Sequence, residues 1–374
     1  MPPETSPYWN ARVRALSPYV PGEQPREKGF IKLNTNENPY PPSPAVQKAL
    51  RNGGRTLRLY PDPECRALRE AIAARFHVKA AQVFVGNGSD EVLAFAFGAF
   101  FGETGPAITF PDLTYGFYPV FAALWGVPCE TIPLGADFQI TIDDYKRPSG
   151  GAVIANPNAP TGRALPARDL CSLAAYFRDA PVGARGSKPV LIVDEAYAPF
   201  ETESMARYID EYPCLLTVHT LSKAWSLAGL RVGFAIGDEA LIEALCRMRD
   251  SFNSYPVDRL AQAAAAAALK DECYRHLNND HVVRTRNRVM RMLAGLGYRV
   301  TPSAANFIFV QHPDLDGAAL AAALRKERIL VRYFSSPRAA PWIRVSMGTD
   351  AEMDAFLRVC AGLAVCPAPP RRSK

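Results

Sequence analysis

Thr220-Leu221-Ser222-Lys223-Ala224-Trp225-Ser226-Leu227-Ala228-Gly229-Leu230-Arg231-Val232-Gly233 follows directly on the apolar run Leu215 to Val218. The run reads as a buried strand, which places Lys223 just beyond its carboxyl end. In an open α/β sheet that edge is where ligands bind. Leu221, Trp225 and Leu227 surround the lysine with apolar side chains, and desolvation lowers an amine's pKa. A neutral amine can attack an aldehyde. Ser222 offers a hydroxyl and Arg231 a guanidinium fork, both donors of the kind a phosphate needs. Taken singly, these residues read equally as a surface lysine, a capping serine and an arginine paired with a carboxylate.

Three further strings bear on the same edge. Val190-Leu191-Ile192-Val193-Asp194-Glu195-Ala196-Tyr197 is a buried strand that ends in Asp194, with Tyr197 three residues on. An ionised carboxylate can keep a pyridine nitrogen protonated, and a phenol can donate to a ring oxygen. A strand-capping Asp and a packed Tyr are the alternatives. Gly86-Asn87-Gly88-Ser89-Asp90-Glu91 reads as a turn from the strand Gln82-Val85 into a helix starting at Glu91. The backbone N–H groups of Ser89 and Asp90 would face an anion there, although a glycine turn followed by a helix cap has the same appearance. Tyr115, shortly after the strand Ala107-Phe110, could stack on a flat heterocycle or pack in the core.

Outward from these strings, strands at Ala107-Phe110, Ala152-Ala155, Val190-Val193, Leu215-Thr220 and Val232-Ile236 alternate with helical or loop segments, the first helix spanning Glu64 to Phe76. Such alternation predicts an α/β fold with a mostly parallel sheet flanked by helices. Alanine-rich Leu260 to Leu269 reads as a tightly packed helix. Beyond it, Tyr298-Val300, Phe307-Val310, Ile329-Val331 and Ile343-Val345 supply four strands around a helix at Gly317 to Lys326, predicting a smaller α+β domain. The expected division is an N-terminal segment or lid over 1–45, a large domain over 46–270 and a small C-terminal domain over 271–374. The proline-rich opening should lie extended, with Ile31-Lys32-Leu33 as its strand-like piece. There is no internal repeat.

The composition narrows the function classes. A chain of 374 residues, 48% hydrophobic, can bury a large core, so a small stapled module is excluded. The formal charge of +6 is scattered along the chain, which gives little support to nucleic-acid binding. The densest basic stretch, His281 to Arg291, reads as a solvated helix face carrying Arg284, Arg288 and Arg291. Eight cysteines occur singly, at Cys65, Cys129, Cys171, Cys214, Cys246, Cys273, Cys360 and Cys366, with no histidine clusters nearby; neither a metal site nor a disulfide framework is expected. The start Met1-Pro2-Pro3-Glu4 has no basic-then-apolar leader and no segment has a membrane-length apolar run, so the expectation is a cytoplasmic protein with no membrane partner.

Taken together, the strings resemble the fold-type-I pyridoxal-phosphate aminotransferases, and within them the histidinol-phosphate aminotransferase group. Residues 220–229 match the lysine signature of the class and Asp194-Glu195-Ala196-Tyr197 its cofactor strand. The resemblance implies pyridoxal 5'-phosphate carried covalently by Lys223. Around it, Ser89, Asp90, Ser222 and Arg231 would lie on its phosphate, Tyr115 on its ring, and Asp194 and Tyr197 on its polar ring atoms. Tyr60, in Tyr60-Pro61-Asp62-Pro63, resembles the tyrosine that crosses to a neighbouring subunit's cofactor, implying a homodimer with shared active sites. Arg344, in Trp342-Ile343-Arg344-Val345-Ser346, resembles the arginine that grips the substrate's anionic group. Arg332 and Tyr19 resemble further residues around a substrate phosphate. Leu33-Asn34-Thr35-Asn36-Glu37-Asn38-Pro39 is similar to the segment that closes over the site.

One departure stands out. The family usually has Asn-Pro-Asn-Asn-Pro-Thr-Gly, whose last Asn touches the cofactor's ring oxygen, whereas this chain reads Asn156-Pro157-Asn158-Ala159-Pro160-Thr161-Gly162. Either Asn158 reaches into the vacated place or Tyr197 serves the oxygen alone. The resemblance implies amine transfer from histidinol phosphate to 2-oxoglutarate, giving glutamate, with Lys223 as acid/base catalyst. Histidinol phosphate has no carboxylate beside its amine, so Arg344, Arg332 and Tyr19 would hold a phosphate instead. Two same-fold rivals are an aromatic amino-acid aminotransferase, with Tyr19, Tyr255 and Trp342 lining an apolar pocket, and a decarboxylase of a phosphorylated amino acid.

Overall fold

A computed structural model describes residues 6–183, 186–312 and 314–365. The expectations that concern Met1 to Glu4 and Cys366 lie outside these residues. The strands are β1 (Ile31–Leu33), β2 (Val83–Asn87), β3 (Ile108–Pro111), β4 (Cys129–Ile132), β5 (Gly151–Ala155), β6 (Val190–Asp194), β7 (Leu215–Thr220), β8 (Val232–Gly237), β9 (Arg299–Val300), β10 (Phe307–Gln311), β11 (Ile329–Tyr333) and β12 (Ile343–Ser346). The helices are α1 (Ala11–Ala15), α2 (Pro44–Gly53), α3 (Arg66–Phe76), α4 (Gly88–Phe100), α5 (Tyr118–Trp125), α6 (Ala167–Asp179), α7 (Glu239–Phe252), α8 (Arg259–Lys270), α9 (Glu272–Gly295), α10 (Gly317–Lys326) and α11 (Asp350–Val365).

A seven-stranded sheet runs in the order β2-β8-β7-β6-β5-β3-β4. Its pairs from β4 through β3, β5 and β6 to β7 are parallel, and β8 is antiparallel to both β7 and β2. β6 shows why the sequence read as a continuous apolar run. Leu191 and Val193 enter one core cluster and Val190 and Ile192 the other, so helices cover both faces of the strand. β4 was not anticipated; Cys129, Glu130 and Thr131 are exposed on an edge strand, with only Ile132 turned into the core, so no apolar run or alternation announces it. In α8, Ala261, Ala264, Ala265 and Ala268 are buried, the small side chains allowing close packing against α2 and α3.

The second sheet has the order β1-β11-β12-β10-β9. β1, from the N-terminal segment, is its edge strand and pairs in parallel with β11. α9 carries Arg284 and Arg291 on its exposed side, as the spacing suggested. Arg288 instead pairs with Asp350 and Asp354, and the unforeseen Arg286 is 1% exposed and ion-paired with Glu201.

The direction of β8 places the site. Because β8 reverses, β2 runs the same way as β7, and the carboxyl ends of β2, β5, β6 and β7 and the amino end of β8 share one edge. Asn87, Ala155, Asp194, Thr220 and Val232 all end or begin their strands there.

Candidate active site

At that edge lies a cavity of about 280 Å³ lined by Ser89, Asp90, Tyr115, Asp194, Tyr197, Ser222, Lys223 and Arg231, among others. The strand-to-helix turn that supplies Ser89 is tighter than the sequence suggested. β2 continues to Asn87 and α4 begins at Gly88, so Ser89 and Asp90 form the first helical turn and not a loop before it. Their N–H groups lie where an α-helix leaves donors unpaired. Two glycines make the approach possible. Gly88 has φ +78°, and a Cβ on it would lie 2.5 Å from the Arg231 Nη2 atom. A Cβ on Gly233 would fall 2.2 Å from the Ser89 backbone nitrogen.

Arg231, itself left-handed at φ 51°, reaches Asp90 Oδ2 at 2.8 Å and the Ser222 hydroxyl at 3.4 Å. The Tyr115 hydroxyl donates to the other Asp90 oxygen at 2.7 Å, which fixes the tyrosine ring over the cavity. One end of the cavity is therefore a cluster of donors comprising the α4 N-terminus, Ser222 and Arg231, suited to a phosphate.

The other end holds Asp194, 5% exposed, which accepts from the Tyr118 hydroxyl at 2.8 Å and from the Ala196 N–H at 3.1 Å. Burial pushes its carboxyl up to about 6 even though both donated bonds favour the ionised form. Lys223, which lines the same cavity, donates from Nζ to the Thr35 carbonyl at 3.0 Å. Burial pulls its ammonium down to about 8, with Arg344 and Arg231 adding to the fall and Glu37 and Asp90 opposing it. The neutral-amine fraction near neutral pH is thus far larger than that of an ordinary lysine.

Tyr197 accepts at its hydroxyl from Asn36 Nδ2 at 2.9 Å, and burial raises its pKa. Asn158 is not brought to the cavity. It is fully buried, its amide donates to Leu113 O and Thr161 Oγ1, and its carbonyl accepts from Thr114, so no polar atom is free to fill the place beside Ala159. Ala159 itself lines the cavity.

A second cavity of about 290 Å³ shares Tyr115 and Ala159 with the first and is lined by Tyr19, Arg332, Phe334 and Arg344. Arg332 and Arg344 are cross-strand partners on β11 and β12. Arg344 donates to Asn34 O at 3.0 Å and lies over the rings of Phe307 and Phe334. Its Nε has no partner, and burial lowers its pKa. Arg332 donates to the carbonyls of Val20 and Pro21. Among the described residues neither arginine has a carboxylate within ion-pair distance, whereas Arg325 and Arg338 each do. Tyr19 stacks on Phe117 at 4.2 Å and closes this cavity from the N-terminal segment.

Tyr60 is 77% exposed and lines neither cavity; its ring stacks on Tyr255 at 4.6 Å. Trp342 stacks on Phe309 at 5.1 Å. The aromatic pocket of Tyr19, Tyr255 and Trp342 is therefore not assembled within this chain. Sequence reasoning missed Tyr118, which holds Asp194 across 76 positions and carries no local motif. It also gave no role to Asn36 or to the Thr35 carbonyl, although both lie in the Leu33 to Pro39 segment. Among the described residues there is no cluster of His, Cys, Asp and Glu able to hold a metal, and no helix is long and apolar enough to cross a membrane.

The residues present fit pyridoxal phosphate. The cavity pairs a phosphate-type donor cluster with a buried carboxylate and a lysine of lowered pKa, and the bare Gly88 lets Arg231 close in on that donor cluster. Comparison with known proteins points the same way. Residues 28–359 match the family model described as aminotransferase class I and II. The chain is 53% identical over 364 residues to histidinol-phosphate aminotransferase 1 of Methylococcus capsulatus, covering 96% of this chain and 99% of the relative. It is 52% identical to histidinol-phosphate aminotransferase 2 of Thiobacillus denitrificans, covering 94% and 97%. The crystal structure of histidinol-phosphate aminotransferase from Sinorhizobium meliloti in complex with pyridoxal-5'-phosphate superposes with a TM-score of 0.83 at 24% identity, covering 96% of this chain and 98% of that one. At that identity the superposition speaks for the fold.

Proposed function

From the premise that the chain belongs to the class I and II aminotransferases, we propose that it moves the amino group of L-histidinol phosphate onto 2-oxoglutarate, giving imidazole acetol phosphate and glutamate in histidine biosynthesis. The observation that carries the substrate assignment is the pair Arg332 and Arg344. Both line one cavity beside the cofactor site, and among the described residues their only hydrogen-bond partners are main-chain carbonyls, Arg344 Nε having none. Partly buried guanidinium groups without a counterion favour an anion, and two of them suit a doubly charged phosphate.

Pyridoxal phosphate, when bound, supplies an aldehyde that accepts the substrate amine and a pyridinium ring that draws electrons from the adjacent carbon. Ser222, Arg231 and the α4 N-terminus would hold its phosphate, and Asp194 would keep its ring nitrogen protonated. Tyr115 would cover the ring. Lys223 would carry the cofactor, and its Nζ would take the proton from the substrate carbon bearing the amine and hand it on. The N-terminal segment excludes water: Tyr19 borders the substrate cavity while the Asn38 side chain donates to the Lys223 carbonyl at 3.1 Å.

The same reading extends to assembly. Tyr60, with its exposed neighbours Leu57, Leu59 and Tyr255, belongs to the face of a homodimer, and Tyr60 completes the partner's phosphate site. The working domains are an N-terminal segment over 1–45, a cofactor domain over 46–270 and a small domain over 271–374, and the enzyme acts in the cytoplasm. The test mixes the cofactor-loaded protein with histidinol phosphate, phenylalanine or threonine phosphate and follows the absorbance of the cofactor as it takes up the amine. Rapid change with histidinol phosphate alone is expected. Preference for phenylalanine moves the substrate to the aromatic class, and release of carbon dioxide from threonine phosphate overturns amine transfer.

A further inference from the structure

The place that the missing amide would fill beside Ala159 remains without a polar side chain in this chain, because Asn158 is spent on Leu113, Thr114 and Thr161. Tyr197 is left as the side-chain donor for the cofactor's ring oxygen, and a tyrosine hydroxyl can rotate its proton in either in-plane direction. Something must set that proton.

Asn36 does so through a closed set of hydrogen bonds. Its backbone N–H donates to the Ser346 hydroxyl at 2.8 Å. That hydroxyl, already an acceptor, donates its own proton to Asn36 Oδ1 at 2.8 Å. In this arrangement Oδ1 is met by the Ser346 hydroxyl, and Nδ2 donates to Tyr197 Oη at 2.9 Å. The Asn36 backbone carbonyl is held in turn by Asn306 Nδ2 at 3.0 Å. The residue is 1% exposed and adopts φ 55°, a left-handed conformation that asparagine tolerates better than most side chains. With one lone pair of Tyr197 Oη occupied by Asn36, the tyrosine proton is directed away from Asn36 and toward the cavity that Tyr197 lines with Lys223.

We propose that Asn36 is the positioning residue that orients the Tyr197 hydroxyl toward the cofactor's ring oxygen, taking over the task that an amide at position 159 would perform directly. The inference rests on the cofactor site proposed above. Donation to that oxygen stabilises its anionic form and weakens its hold on the proton shared with the lysine linkage. Loss of an oriented donor therefore raises the pH at which the bound cofactor's absorbance changes.

The experiment titrates that absorbance, without substrate, in the cofactor-loaded protein and in Asn36→Ala, Tyr197→Phe, Asn36→Ala/Tyr197→Phe and Asn36→Ala/Ala159→Asn. Asn36→Ala should move the midpoint upward by roughly half to one pH unit, the size of one hydrogen bond. It should add nothing in the Tyr197→Phe background, and Ala159→Asn, which projects into the open cavity, should return the midpoint toward that of the parent. An unchanged midpoint in Asn36→Ala, or equal shifts with and without Tyr197, overturns the proposal. If Asn36→Ala does not fold, Ser346→Ala, which frees the amide to turn, should show a smaller upward shift, and no shift there also overturns it. Should Tyr197→Phe itself leave the midpoint in place, the cofactor-site reading fails, a result distinct from failure of Asn36 alone.

Discussion

The two adjoining cavities differ in how their charges are met. In the Lys223 cavity every charged group has an answering partner: Arg231 rests on Asp90, Asp194 on the Tyr118 hydroxyl, and Lys223 on the Thr35 carbonyl. In the Arg344 cavity the two guanidinium groups meet carbonyl dipoles and aromatic rings but, among the described residues, no carboxylate. The first is a preorganised cradle whose geometry exists before any ligand arrives. The second is electrostatically incomplete, which is what a site for a transient anionic substrate requires if it is to bind and release at each turnover.

Substitutions separate the two. Lys223→Ala should have the largest effect, abolishing the covalent cofactor absorbance and lowering turnover on the order of 10⁴-fold or more, while circular dichroism shows an intact fold. Retained turnover would remove Lys223 from its role. Arg344→Ala should reduce kcat/KM for the phosphorylated amine about 100-fold and Arg332→Ala about tenfold, the loss of charge-assisted hydrogen bonds. Neither should alter cofactor affinity measured by fluorescence quenching. A loss of cofactor affinity equal to the loss of activity would mean that the two cavities are one functional unit.

Tyr118→Phe acts within the cradle. The lost donor favoured ionised Asp194, so its pKa should rise further above about 6, and the acidic limb of the kcat/KM profile should shift to higher pH with cofactor affinity reduced several-fold. An unmoved acidic limb would show that Tyr118 only packs. The smallest effect concerns stability of the cofactor-free protein. Lys223 binds its proton less tightly folded, at about 8, than unfolded, at 10.5. Between those values the unfolded state holds more protons, so this group adds stability as pH rises through that window. Denaturant midpoints of the parent should therefore rise relative to Lys223→Met from about pH 8 to about pH 10.5, and parallel curves would contradict the lowered pKa.

What could be read in the sequence follows the same division. The cradle is built from short contiguous strings at strand ends, and Lys223, Asp194, Arg231 and Ser89 all come together around one cavity. The parallel core was legible because its strands are apolar on both faces, whereas β4 is an exposed edge and left no such pattern. The start of α4 was misjudged because Gly88 lets the strand turn straight into the helix, where a glycine pair usually signals a loop. Asn158 was legible only as a vacancy to be filled; its commitment to Thr114 depends on a contact across 44 positions. Tyr118, Asn36 and Ser346 likewise act through long-range hydrogen bonds between elements that carry no motif of their own.

The account's central claim is that an unpaired arginine pair beside a pyridoxal-phosphate site selects a phosphorylated amine. The most direct measurement compares kcat/KM for histidinol phosphate and for histidinol in the parent and in Arg332→Ala/Arg344→Ala. The account predicts a preference of about 10³-fold or more for the phosphorylated substrate, two charge-assisted contacts, that collapses toward parity in the double variant. Equal use of the two amines by the parent protein, or a preference that survives loss of both arginines, would contradict it.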